Sequence, residues 1–248
     1  MWHGGSWRWL GGEHDAEPSA GQERRETGRL EALSDGVFAI AMTLLILSLP
    51  IPKRDSNLTS VALLHSSLLD NYAWLSLVTY VVSFVTVLVM WINHHFLFQF
   101  VARIDRYFVV ANGLLLMLVV FVNYPTALVA NFVGTAGGEF AAVAYNVTFV
   151  LVAIFFNAMW FHIVRHGRLL VADADPAEVA TYTRQYLVGG PLYLAALLLA
   201  FYSPGLSIAL DAALAIFWAF TGRIIRTKRR PERHVGQSHL TADRAISE

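Results

Sequence analysis

The sequence predicts an all-α membrane protein with six transmembrane helices, and three observations carry that expectation. Hydrophobic residues make up 56% of the 248-residue chain and charged residues only 15%, against about 25% charged in an ordinary soluble domain. Six apolar segments, 33–50, 72–98, 107–131, 139–164, 186–203 and 205–224, reach the roughly 18–20 residues that a helix needs to cross a bilayer. With both termini on one side, all 18 Lys and Arg except Lys53 and Arg54 fall on that side, which the positive-inside rule makes cytoplasmic. An odd number of spans would scatter the basic residues over both faces. The chain has no cysteine, which excludes disulfides, thiolate metal sites and a cysteine nucleophile.

Residues 1–28, with Gly and Ser early and a polar run from 13 onward, read as a mobile N-terminal tail. No short apolar region with a small-residue cleavage site precedes the first span, so a removed signal peptide is not expected. The first span lies in RLEALSDGVFAIAMTLLILSLPIP, Arg29 to Pro52. On a 100° wheel Leu33, Gly36, Ile40, Thr43, Leu44 and Leu47 share one stripe, and Ser34 and Asp35 point away from it. Ile40, Thr43 and Leu47 stack along about 10 Å of axis. Around a symmetry axis they would form apolar, hydroxyl and apolar rings, a constriction that gates by dewetting. Periodicity alone serves lipid contact or helix packing equally well, with the Thr hydroxyl bonded back to its own helix.

Ser34 and Asp35 have two readings. They cap the helix if it starts there. If it starts near Arg29, after Gly28, the carboxylate lies inside the helix and needs a partner on another one, because an ionisable group within a span is costly. The second span offers Trp91-Ile-Asn-His94-His95-Phe96 at the same membrane level. His94 and His95 point 100° apart, so at most one reaches Asp35 directly, and Trp91 shares a face with His95. Adjacent histidines without an HxxxH or carboxylate set do not suit a metal ion. A structural network of Arg, Ser, Asp and His is the reading they favour.

In the later spans, Asn112, Asn123 and Asn157 read as polar contacts between helices. Gly189-Gly190-Pro191 reads as a distorted helix start and Ser203-Pro204-Gly205 as a tight outer turn. Asp211, a few residues into the last span, is expected at the membrane interface rather than in an outer vestibule. Residues 226–248 read as a basic C-terminal tail able to touch anionic lipid heads; nucleic-acid binding is not expected of it. A membrane enzyme would need paired carboxylates, a metal set or a nucleophile–base pair at one depth, and the sequence offers none. The rival function class is a proton-coupled transporter or proton-conducting channel using Asp35, His94, His95, Glu139, His162 and Asp211, most of which sit at span ends, where snorkelling is cheap.

The string Arg29-Leu-Glu-Ala-Leu-Ser34-Asp35 resembles the RxxxFSD signature of the bacterial relatives in the transmembrane protein 175 family of lysosomal-type potassium channels, and Trp91 to Phe96 resembles that family's second-helix pattern. Leu33 departs from the usual Phe. The resemblance covers the membrane region, 29–225. It implies a homotetramer of six-helix subunits in the bacterial inner membrane, with both termini cytoplasmic and the first helix lining a central pore. The pore constriction maps to Ile40, Thr43 and Leu47. The anchoring network behind it maps to Arg29, Ser34, Asp35 and one or both of His94 and His95, beside Trp91. The family lacks a TVGYG filter, and this sequence contains no such string. The implied function is passive potassium permeation, with other monovalent cations possible, no enzyme activity and no cofactor beyond the permeant ion.

Overall fold

The computed structural model describes residues 20–49, 73–132 and 134–226. Lys53, Arg54, the first nineteen residues and the tail after Arg226 lie outside the described residues. The described chain forms α1 (Ala20–Leu44), tightening into a 3-10 turn at Leu45–Ser48, then α2 (Ala73–Phe98), α3 (Arg106–Phe121), α4 (Asn123–Phe132), α5 (Gly138–Arg165), α6 (Pro176–Ala200) and α7 (Pro204–Arg226). Because α3 and α4 follow one another directly, the seven helices make six rods, in keeping with the expected all-α membrane architecture.

By length and composition four rods are able to cross a membrane: Gly21–Leu47, Leu77–Phe98, Arg106–Phe132 and Gly138–Arg165. α7 carries a shorter apolar stretch, Pro204–Ala219. The fifth expected span differs most from its forecast. Its helix starts at Pro176 rather than near residue 186, and it runs through Gly189-Gly190-Pro191 without a break. The Asp175 side chain accepts from the Ala177 amide and Pro176 occupies the first turn, a strong start signal. Gly-Gly-Pro is therefore a mid-helix feature. At Gly189 an added Cβ would stand 2.5 Å from the Trp218 ring, so the glycine lets α6 and α7 approach closely there.

The α3–α4 rod is interrupted at Val122. Pro125 follows three residues later and offers no amide to the Phe121 carbonyl, which explains a break at that point. At the other end of the bundle Asp105 caps α3, accepting from the Phe108 amide at 2.9 Å. Here the α2–α3 and α5–α6 connections join: Ala102 donates to the Leu169 carbonyl at 2.8 Å and Val171 to the Phe100 carbonyl at 3.0 Å. That clasp gathers Arg103, Arg106, Arg165 and Arg168 at one end.

α5 is the central rod, packing against α3, α4, α6 and α7, while α1 lies against α2 and α3. The interior is aromatic: Trp160, Tyr145, Phe38, Phe108 and Phe149 are fully buried. Trp160 meets Phe100 edge-on at 5.4 Å and stacks on Tyr186 at 5.4 Å. Lipid offers apolar side chains as good a solvent as the bundle does, so close packing and interhelical polar contacts must hold these helices together.

Candidate functional site

α1 has two unlike faces. Thr27, Ser34, Phe38, Ala41 and Leu45 are buried against the bundle. The opposite stripe is open: Leu33 is exposed, Ile40 is 57% exposed and Leu47 76%, and Gly36 and Thr43 are exposed with them. This stripe has the same members as the wheel derived from sequence. The helix starts earlier than expected, at Ala20, so part of the segment read as a tail is helical. Glu23 pairs with Arg103 at 2.8 Å and Thr27 is buried, contacts that hold the extra turns against the clasp end.

Within the stripe, Thr43 donates its hydroxyl proton to the Ile40 carbonyl at 2.9 Å. Its donor is committed to its own helix, and the oxygen lone pairs remain to act as an acceptor on the open face. The 3-10 turn places Leu47 in line with Leu44, because residues three apart eclipse in that geometry. Ile40, Thr43 and Leu47 thus stay on one face, with Leu47 rotated somewhat from its ideal α-helical bearing.

Behind this face lies a set of polar contacts whose pairings differ from those expected. The Ser34 hydroxyl donates to the Leu30 carbonyl at 2.8 Å and accepts from the Asn112 side-chain amide at 3.0 Å. The Asn112 carbonyl oxygen faces His94 Nε2 at 2.8 Å. With the amide in that orientation, His94 carries its proton on Nε2, and the chain His94 to Asn112 to Ser34 to Leu30 runs in one donor direction. All three side chains are fully buried, and Phe38 and Phe98 flank the imidazole, with ring centroids at 5.2 and 4.6 Å.

Neither histidine hydrogen-bonds Asp35 among the described residues. The Trp91 indole N–H donates to Asp35 at 2.8 Å, and His95 Nδ1 meets Glu31 at 3.0 Å. Glu31 and Asp35 are one turn apart on α1, as Trp91 and His95 are on α2. The two helices therefore meet in antiparallel rungs. Arg29 is exposed and takes no part in these contacts among the described residues. Sequence reasoning missed Glu31 and understated Asn112. The i, i+4 pairing of Glu31 with Asp35 was the available signal for the first; nothing local marks Asn112 out from Asn123 or Asn157.

One further ionisable group falls elsewhere than expected. Asp211, forecast at the membrane interface, is 2% exposed; α7 turns it into the bundle rather than toward the headgroups. At the clasp, Asp105 meets His162 Nε2 at 2.8 Å. Burial pushes the Asp105 carboxyl upward, but the Phe108 amide, the His162 contact and the Arg168 charge outweigh it and hold the group below its ordinary value.

The family described as "Endosomal/lysosomal potassium channel TMEM175" matches residues 29–122, the segment holding the stripe and its anchors. A potassium channel of Chamaesiphon minutus is 46% identical over 197 residues, covering 79% of this chain and 95% of that protein. A potassium channel of Streptomyces collinus is 41% identical over 197 residues, covering 79% and 92%. The crystal structure of a lysosomal potassium-selective channel TMEM175 homolog from Chamaesiphon minutus superposes with a TM-score of 0.69 at 42% identity, covering 80% of this chain and 99% of that one.

Proposed function

Since this chain belongs to the TMEM175 potassium channel family, we propose that it conducts potassium passively through a pore lined by α1 from four copies of the subunit. The observation that carries this reading is the open face of α1. A helix packed on one side by a buried polar network presents Ile40, Thr43 and Leu47 outward, and a fourfold axis along that face turns each into a ring.

Ile40 and Leu47 then form apolar constrictions that resist wetting, and Thr43 supplies a ring of hydroxyl oxygens between them. A potassium ion passing the ring exchanges part of its hydration shell for these oxygens. So few ligands per ring give only modest discrimination against sodium. The network of Ser34, Asn112, His94, Asp35 and Trp91 acts from behind, fixing the rotation of α1 so that the open face stays on the axis. Lys and Arg placement supports cytoplasmic termini in a bacterial inner membrane. No catalytic step or cofactor enters this scheme.

The test combines oligomer mass with current. The detergent-solubilised protein should have the mass of four chains. In bilayers, Ile40→Asn should wet the constriction and raise sodium current relative to potassium current. Unchanged flux of both ions would remove Ile40 from the pore. Saturable flux that moves protons with potassium would replace the channel with a coupled transporter.

A further inference from the structure

A second buried polar layer lies toward the end of the bundle opposite the clasp, on α2, α4, α5 and α7. Thr126 donates to the Ser83 hydroxyl at 3.0 Å, and Ser83 lies 3.4 Å from the Tyr145 hydroxyl. The Asn146 amide donates to the Ala142 carbonyl at 2.9 Å and to the Ser207 hydroxyl at 2.6 Å. Asp211 stands one turn beyond Ser207 on α7, within electrostatic reach of Tyr145 from α5 and Tyr193 from α6.

This layer has an imbalance. Both Asp211 carboxylate oxygens and the Asn146 amide oxygen are buried without a hydrogen-bond partner among the described residues. All three are acceptors. No Lys, Arg or His among the described residues acts on the carboxylate; the ionisable groups within its electrostatic reach are the Tyr145 and Tyr193 phenols, and α2 carries the buried hydroxyls of Thr79, Ser83 and Thr86. An ionised carboxylate held this way would be a buried charge without a counter-charge, an arrangement proteins avoid by pairing it or neutralising it. No group of three His, Cys, Asp or Glu gathers among the described residues, and Asp211 is not in the wall of the adjoining cavity of about 50 Å³ lined by Tyr193, Ala215 and Trp218.

We propose that Asp211 is a proton-binding site, one per subunit, held inside the helix bundle apart from Ile40, Thr43 and Leu47. In its proton-bound form the side chain is a carboxylic acid. Its proton turns an acceptor-only group into a donor, with Asn146 Oδ1 as the unfilled acceptor of the layer. When the proton leaves, the layer holds an uncompensated charge, and the packing of α7 on α2, α5 and α6 weakens. The inference requires neither the tetramer nor the pore.

Infrared spectroscopy of the full-length protein in lipid tests it. The wild type at neutral pH should show a protonated-carboxyl C=O band that shifts in D2O and is insensitive to added sodium or potassium. Asp211→Asn should abolish the band, and Asp211→Glu should move it while keeping it, which secures the assignment should the Asn variant fold poorly. The sign of the linked stability follows from proton counting. The folded state holds a proton that the unfolded state has released, so stability falls as pH rises above the ordinary carboxylate value until the band disappears. Across that window the unfolding constant of the wild type should grow about tenfold per pH unit relative to Asp211→Asn. A carboxylate signal at every pH would overturn the proposal. So would a band that vanishes when sodium or potassium is added at fixed pH, since the site would then bind a metal cation instead.

Discussion

Breaking the Ser34–Asn112–His94 chain should unfasten α1 by an amount that can be worked out from its geometry. Asn112→Ala removes two buried interhelical bonds, at 3.0 and 2.8 Å, and leaves the His94 Nε2 proton without an acceptor beside an Nδ1 that already lacks a partner. Interhelical bonds in membrane proteins average about 0.6 kcal/mol and reach about 1.7, so two of them contribute about 1–3 kcal/mol. The cavity left by the truncated side chain adds to that cost. Ser34→Ala removes the interhelical bond from Asn112 together with the hydroxyl's bond to the Leu30 carbonyl on its own helix, with almost no change of volume, and should cost about 0.5–2 kcal/mol. The double-mutant cycle isolates the contact itself, because cavity terms cancel in the difference. Its coupling energy, measured by denaturant unfolding in micelles, should lie near 0.6–1.7 kcal/mol. Coupling below about 0.3 kcal/mol, within the scatter of independent sites, would refute the view that this bond fixes α1 to α3.

Two further outcomes are expected. Gly189→Ala places a methyl 2.5 Å from the Trp218 ring, so α6 and α7 must separate or the indole must turn; thermal unfolding should register a loss of about 1–3 kcal/mol. Asp105→Ala removes a helix cap worth about 0.5–2 kcal/mol together with the His162 contact. Because the Asp105 carboxyl is held below its ordinary value, its stabilisation is present above about pH 4 and fades as the pH falls through its lowered folded value. The gap between wild type and variant should therefore shrink in acid, and a gap that widened there would contradict the assignment.

The face of α1 was readable in the sequence because a single helix obeys one period: Leu33, Gly36, Ile40, Thr43, Leu44 and Leu47 need no partner to define a stripe. The polar network was only half readable. Which residue meets Asp35 depends on how far α2 is rotated and translated against α1, and that offset places Trp91 opposite Asp35 and leaves His94 for Asn112. The early start of α1 depends on Glu23 reaching Arg103, a contact distant in sequence. The early start of α6 was written locally, in Asp175 before Pro176, but Thr181, Arg184 and Gln185 hide it from a search for apolar runs. The burial of Asp211 was masked for a different reason: depth along a helix says nothing about which side of it faces the bundle.

The absence of cysteine from the chain makes one measurement decisive for the pore-lining role of α1. With Ile40→Cys in a potassium-conducting bilayer, a water-soluble thiol reagent should reach the side chain and block the current. Phe38→Cys, replacing a fully buried side chain on the opposite face, should be unaffected. Potassium current that persists at full size after the introduced thiol of the Ile40→Cys variant is shown by mass to be modified would mean that ions do not pass along this face.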